Sequence, residues 1–135
     1  MKINRPSKPG QSLVEFALIL PLLLLILVMI FDLGRAVYYY SVIHNAAREG
    51  ARWGIIDNTA GIGCVTPDTA GIEAAVRARA VGLNPGDLTV SSSCVGSKIR
   101  VNVTYDFEPV TPLVSSFLDG GMITLESTSS MNVEG

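Results

Sequence analysis

From Phe16 to Phe31 the chain runs 16 residues without a charge, almost all of them Leu, Ile, Val, Met or Phe. As a helix rising 1.5 Å per residue this stretch covers about 24 Å, less than the ~30 Å hydrocarbon core of a bilayer. A spanning helix therefore takes in Gln11 to Val14 as well, or ends near an interface. Extended back to Gln11, the run holds one acid, Glu15. The helical pattern does not stop at Phe31. Asp32 and Arg35, three apart, read as an exposed pair at the outer interface, a contact that contributes only a few tenths of a kcal/mol. A helix reaching about Ile55 would be near 67 Å long, far more than a membrane requires.

Beyond it the pattern changes. Asp57 to Gly63 is rich in turn formers, Thr66-Pro-Asp starts a second helix with Pro67 or Asp68 able to cap it, and Ile72, Ala75, Val76 and Ala80 recur at helical spacing between Thr69 and Val81. Gly82-Leu-Asn-Pro-Gly-Asp closes that helix. Three strand-like stretches follow, Leu88 to Val95, Lys98 to Phe107 and Met122 to Val133. Gly96-Ser97 reads as a tight hairpin turn between the first two. Strict alternation puts Ile99, Val101, Val103, Tyr105 and Phe107 on one face, with Arg100, Asn102, Thr104 and Asp106 on the other. Glu108 to Gly121, with Pro109 and Pro112, reads as a loop or short helix. The expected fold is α+β: a long N-terminal transmembrane and stalk helix carrying a small antiparallel-sheet head.

Length changes this picture by limiting it. Of 135 residues, about 45 go to the leader and long helix, so one small exposed domain remains and no large catalytic core. The net charge of −2 is near neutral, with three cations, Lys2, Arg5 and Lys8, ahead of the first acid. That asymmetry orients the N-terminus to the cytoplasm and the residues after 33 to the outside. No basic patch with interleaved aromatics points to nucleic acid.

A charge at the centre of a membrane helix costs roughly 2.5–3.5 kcal/mol and is kept mainly where it finds a partner. Glu15 lies five residues after Gly10, behind the basic leader. Gly10-Gln-Ser-Leu-Val-Glu-Phe-Ala-Leu, Pro21 and Ala46-Ala-Arg-Glu-Gly-Ala-Arg52 together resemble the TadE-like family, minor pilins or pseudopilins of tight-adherence (Flp) pilus systems. The resemblance covers about the first 55 residues and leaves the head unmatched. It implies cleavage by a prepilin peptidase between Gly10 and Gln11, with Glu15 and Phe16 recognised by the peptidase or used in assembly. It also implies that Glu15 attracts the amino terminus of an adjacent subunit. The implied partners are major and minor pilins, the inner-membrane Tad assembly platform and membrane lipid; no cofactor or metal is implied. The expected divisions are a leader at 1–10, an assembly helix at 11–33, a helix extension at 34–56 and a head at 57–135. The chain would sit in the inner membrane with its head outside, and possible incorporation into a surface pilus follows from the same family.

Two other readings of the N-terminus stay open: an uncleaved single-pass envelope scaffold or secretion-complex subunit, and a removable signal peptide. The latter has a shorter apolar core and a small-residue cleavage site, and Asp32-Leu-Gly-Arg-Ala supplies none.

Pro21 lacks an amide hydrogen and clashes with the carbonyl of Ala17, so it reads as a kink that aids bundling or as a tolerated membrane proline. Ala46, Ala47, Ala51 and Gly50 offer a small-residue surface for a packing seam against the globular domain or a sister subunit, with Arg48 and Arg52 four apart beside it and bound to backbone or carboxylate acceptors. The alternative is a solvated helix whose glycine costs about 1 kcal/mol against alanine. Tyr38, Tyr39 and Tyr40 with Trp53 suit an interfacial belt or packing on the outer domain, the belt being the first reading for the tyrosines and core packing for Trp53. Cys64 and Cys94, outside the membrane by this topology, predict one disulfide; two thiols without histidines fall short of a zinc site. His44 reads as a helix-surface residue. No nucleophile elbow or calcium loop is present, so the chain is expected not to be an enzyme.

Overall fold

The computed structural model describes residues 9–56, 64, 67–111, 116 and 121–133. The leader cations, the turn at 57–63, Thr66 and most of the 112–120 loop lie outside the described residues.

One helix, α1 (Pro9–Ile56), runs unbroken for 48 residues, about 72 Å, with Pro21 inside it. Its first part is bare: from Gly10 to Phe31 every residue is exposed except the half-exposed Leu25. Its last part is the spine of the head. There Ile43, Ala46, Ala47, Gly50, Ala51 and Gly54 form a buried stripe at three- and four-residue spacing.

Against that stripe pack α2 (Thr69–Arg79) and a three-stranded antiparallel sheet of β1 (Leu88–Val95), β2 (Lys98–Phe107) and β3 (Ile123–Asn132), ordered β1-β2-β3. The hairpin closes with Val95 opposite Lys98, and Gly96 takes a positive φ of 62° that a side chain would resist. The central strand alternates as its sequence requires. Ile99, Val101, Val103, Tyr105 and Phe107 are buried, while Arg100 and Asp106 face water. On the wet face Thr124 donates to Asp106 and Thr128 to Asn102, pairs that join β3 to β2. The α+β architecture is the expected one, with element ends within about two residues of those read from the pattern, the usual scatter at such boundaries.

The strand β2 runs antiparallel to the helix. A Cβ added at Gly54 would come within 3.1 Å of Ile99, and one at Gly50 within 3.3 Å of Val101. At the other end Tyr39 packs edge-on against Tyr105 and Phe107, with ring centroids 5.3 and 5.7 Å away. The end of the head nearest the bare helix thus holds Asp32, Arg35, Tyr39 and Phe107, and the far end holds Gly54 and Ile99.

Two expectations about packing are corrected here. Tyr39 is half-buried in the head rather than in a belt with its neighbours, because the helix turn that exposes Tyr38 and Tyr40 points Tyr39 at the sheet. Trp53 is 43% exposed and lies beside Gly71 at the start of α2, outside the core, since the stripe through Gly50 and Gly54 already fills the interface.

Candidate assembly helix and its collar

The lone acid of the apolar run stands 17 residues before Asp32, about 25 Å along the axis. Glu15 is exposed, and its nearest polar neighbour is Gln11, whose Nε2 lies 3.4 Å from Oε1 one turn earlier. That contact is long for a hydrogen bond and leaves most of the carboxylate's acceptor capacity free. Gly10 opens onto empty space, with no atom within 4 Å of a Cβ built there. Phe16 is 60% exposed on the same bare surface. Gly10, Gln11, Glu15 and Phe16 are therefore all accessible on one stretch of unpartnered helix. It is long and apolar enough to cross a membrane, the one such helix among the described residues.

At the other end of the apolar run is a collar that sequence reasoning missed. Asp32 is not an exposed interfacial acid; it is buried at the junction of helix and head. One carboxylate oxygen accepts the Thr111 backbone N–H at 2.7 Å and the Thr111 hydroxyl at 2.5 Å, and the other accepts the Val110 N–H at 3.1 Å. Arg35 approaches at 3.4 Å and stays 42% exposed. The expected Asp32–Arg35 pair exists, yet the short bonds go to the loop after β2. The guanidinium also lies over the Phe107 and Tyr39 rings, 5.3 and 5.7 Å from their centroids. The one available signal was position: an acid directly after a long apolar run, in a helix that continues, needs acceptor partners from elsewhere in the chain.

The small-residue segment divides by face. Ala46, Ala47, Gly50 and Ala51 are buried against α2 and β2, where a Cβ on Gly50 would fall 2.6 Å from Val76 Cγ2. Arg48 and Arg52 point outward with Asn45, and among the described residues neither makes a hydrogen bond or ion pair. The expectation that backbone or carboxylate acceptors hold them is not met inside this chain, because the helix turn that buries the alanines faces both arginines to solvent. Nearby, Arg79 reaches Glu49 at 3.8 Å. Pro21 sits in the bare part of the helix, away from the head. His44 is on the helix surface, 3.2 Å from Ser127 Oγ and stacked on Tyr40.

Cys64 and Cys94 are joined, Cα atoms 5.5 Å apart, tying the segment before α2 to the end of β1. Among the described residues no group of three His, Cys, Asp or Glu side chains is placed to hold a metal ion. What the described residues present is apolar area, a lone acid and outward cations.

The family model described as TadE-like protein matches residues 10–52, about a third of the chain. No curated protein and no solved structure matches the chain. The matched segment begins at Gly10, includes Glu15 and ends at Arg52, so it takes in both the bare helix and the small-residue stripe. The helix that organises this molecule is thus similar, over residues 10–52, to the TadE-like family, a match that suggests a protein associated with the Tad pilus.

Proposed function

We propose that the chain is a minor pilin or pseudopilin that acts in assembling a Flp pilus, processed by a prepilin peptidase between Gly10 and Gln11. The observation that carries this reading is the division of α1. About 22 residues stand bare and apolar around a single acid, while the remainder is built into a small head. An anchor needs only the apolar length. A subunit that packs by its helix also needs a group that fixes register, and Glu15 is the only charge on the bare stretch.

Counting back ~30 Å from Phe31 places the inner edge of the hydrocarbon near residue 12, which leaves Glu15 about 5 Å inside it. A carboxylate at that depth is costly unless a cation approaches. Cleavage after Gly10 supplies one, the new amino group of Gln11, on the same chain or on a neighbour. The head then lies on the extracytoplasmic side with the disulfide, as oxidising conditions there require. Major and minor pilins would contact the apolar helix, and the inner-membrane Tad platform would drive insertion into or beneath the filament.

Counting surface filaments by electron microscopy in cells that carry the pilus machinery tests this. Glu15→Gln keeps the helix apolar and removes the pairing charge, so filaments are lost while the protein remains in the membrane fraction. Wild-type filament numbers with Glu15→Gln would overturn the assembly role.

A further inference from the structure

The underside of the head exposes apolar side chains at the height where the bare helix ends. Asp32 binds Val110 and Thr111 one residue beyond Phe31, so the foot of the head is held at a fixed level on the helix. At that foot Val110 is 67% and Met122 55% exposed. Single exposed apolar residues are ordinary on a protein surface and carry no meaning alone. Each is next in sequence to a residue of an apolar notch of about 150 Å³ between helix and head, walled by Met29, Leu33 and Ala36 on one side and Phe107, Pro109 and Ile123 on the other. Asp32 also borders the notch, but its carboxylate is occupied by the loop bonds. The helix wall is continuous with the apolar run that reads as membrane-spanning, and Leu33 remains 66% exposed. The adjoining side of the foot, which shares Phe107 and Pro109 with the notch and includes Val110, carries charge as well: Asp87, Asp106 and Glu108 gather there around Arg35.

We propose that the head is seated on the bilayer by its β3 side, with Val110 and Met122 in the boundary between headgroups and acyl chains and a length of acyl chain in the notch. The acidic side stays in water, so the head sits tilted rather than flat. A lipid occupant is favoured over a second protein because the notch opens onto the same surface, at the same level, as the helix segment that lipid already covers. The proposal rests on the helix crossing the membrane, and its test separates the two claims.

Full-length protein carrying Trp53→Phe is reconstituted in phosphatidylcholine vesicles at high lipid-to-protein ratio, with single tryptophans introduced as Val110→Trp, Met122→Trp or Leu33→Trp. The Val110 side chain makes no bond to Asp32, so replacing it leaves the collar intact. Phosphatidylcholine brominated high on its acyl chains is the quencher. Val110→Trp and Met122→Trp are expected to emit at short wavelength and to be quenched as strongly as Leu33→Trp. Wild-type Trp53, 21 residues beyond Asp32 and about 32 Å further out, stays unquenched. If both head reporters behave like Trp53 while Leu33→Trp is quenched, the seating is overturned and the spanning helix stands. If Leu33→Trp also escapes quenching, both claims fall. Short-wavelength emission from the head reporters that resists the brominated lipid and grows with protein density would assign the notch to a second copy and overturn lipid seating.

Discussion

Removing the Asp32 carboxylate leaves two backbone N–H groups and a buried hydroxyl without their acceptor. Bonds to a charged group contribute about 1.5–3 kcal/mol, and a buried donor left alone costs about 1–3. Asp32→Ala is therefore expected to destabilise the head by about 2–4 kcal/mol. Urea unfolding of the detergent-solubilised chain, followed by Trp53 fluorescence, reads this directly; a loss within the ~0.5 kcal/mol of an ordinary surface change would show that the collar bonds contribute little. Glu15→Gln in the same assay should leave the head unaffected, since among the described residues Glu15 makes its hydrogen bond within the bare helix, with Gln11. The two acids illustrate what a sequence reveals at this scale. Glu15 is legible because its meaning lies in its local setting, a charge within an apolar run five residues from Gly10. Asp32 is not, because its partners Val110 and Thr111 are 78 and 79 positions away and nothing in their types announces them.

Two glycines of the long helix separate packing from propensity. Replacing glycine by alanine inside a helix gains roughly 0.5–1 kcal/mol where the methyl has room. At Gly34 nothing lies within 4 Å, so Gly34→Ala is expected to stabilise the helix by about that amount. At Gly50 the new methyl meets Val76 Cγ2 at 2.6 Å, and a β-branched side chain on a helix has one strongly preferred rotamer in which to sit. Overpacking there costs about 1–3 kcal/mol and outweighs the propensity gain, so Gly50→Ala should be net destabilising in the same unfolding assay. A stabilising Gly50→Ala would mean that α2 slides away from α1 at little cost. Strand periodicity was the most legible feature of the chain, because a one-sided sheet forces alternation on β2. The docking side of α1 was less so: small residues at 46, 47, 50 and 51 indicated close approach, but not that Gly54 completes the stripe while Trp53 is left outside.

Taken whole, the molecule joins two unlike parts, a bare apolar helix and a small head held around its continuation. So small a core gains much from its covalent tie. The Cys64–Cys94 bond closes a loop with a sequence separation of 30, for which the chain-entropy model gives about 3–4 kcal/mol. Reduction with dithiothreitol should lower the unfolding free energy of the head by about that amount while leaving the protein in the membrane fraction; an unchanged urea midpoint would contradict this. The role proposed for the head, that of a contact surface, was less legible than its fold, because contact surfaces need no convergent side chains and so leave no motif. The central claim, a processed pilin, concerns one bond. Intact-mass and N-terminal peptide measurement of the membrane-associated protein, with and without the candidate prepilin peptidase and with Gly10→Val beside the wild type, addresses it most directly. A wild-type chain that begins at Gln11 only when the peptidase is present, and a Gly10→Val chain that keeps its leader, is the predicted result. A wild-type leader that remains attached in the presence of active peptidase would contradict the account and leave an uncleaved membrane scaffold.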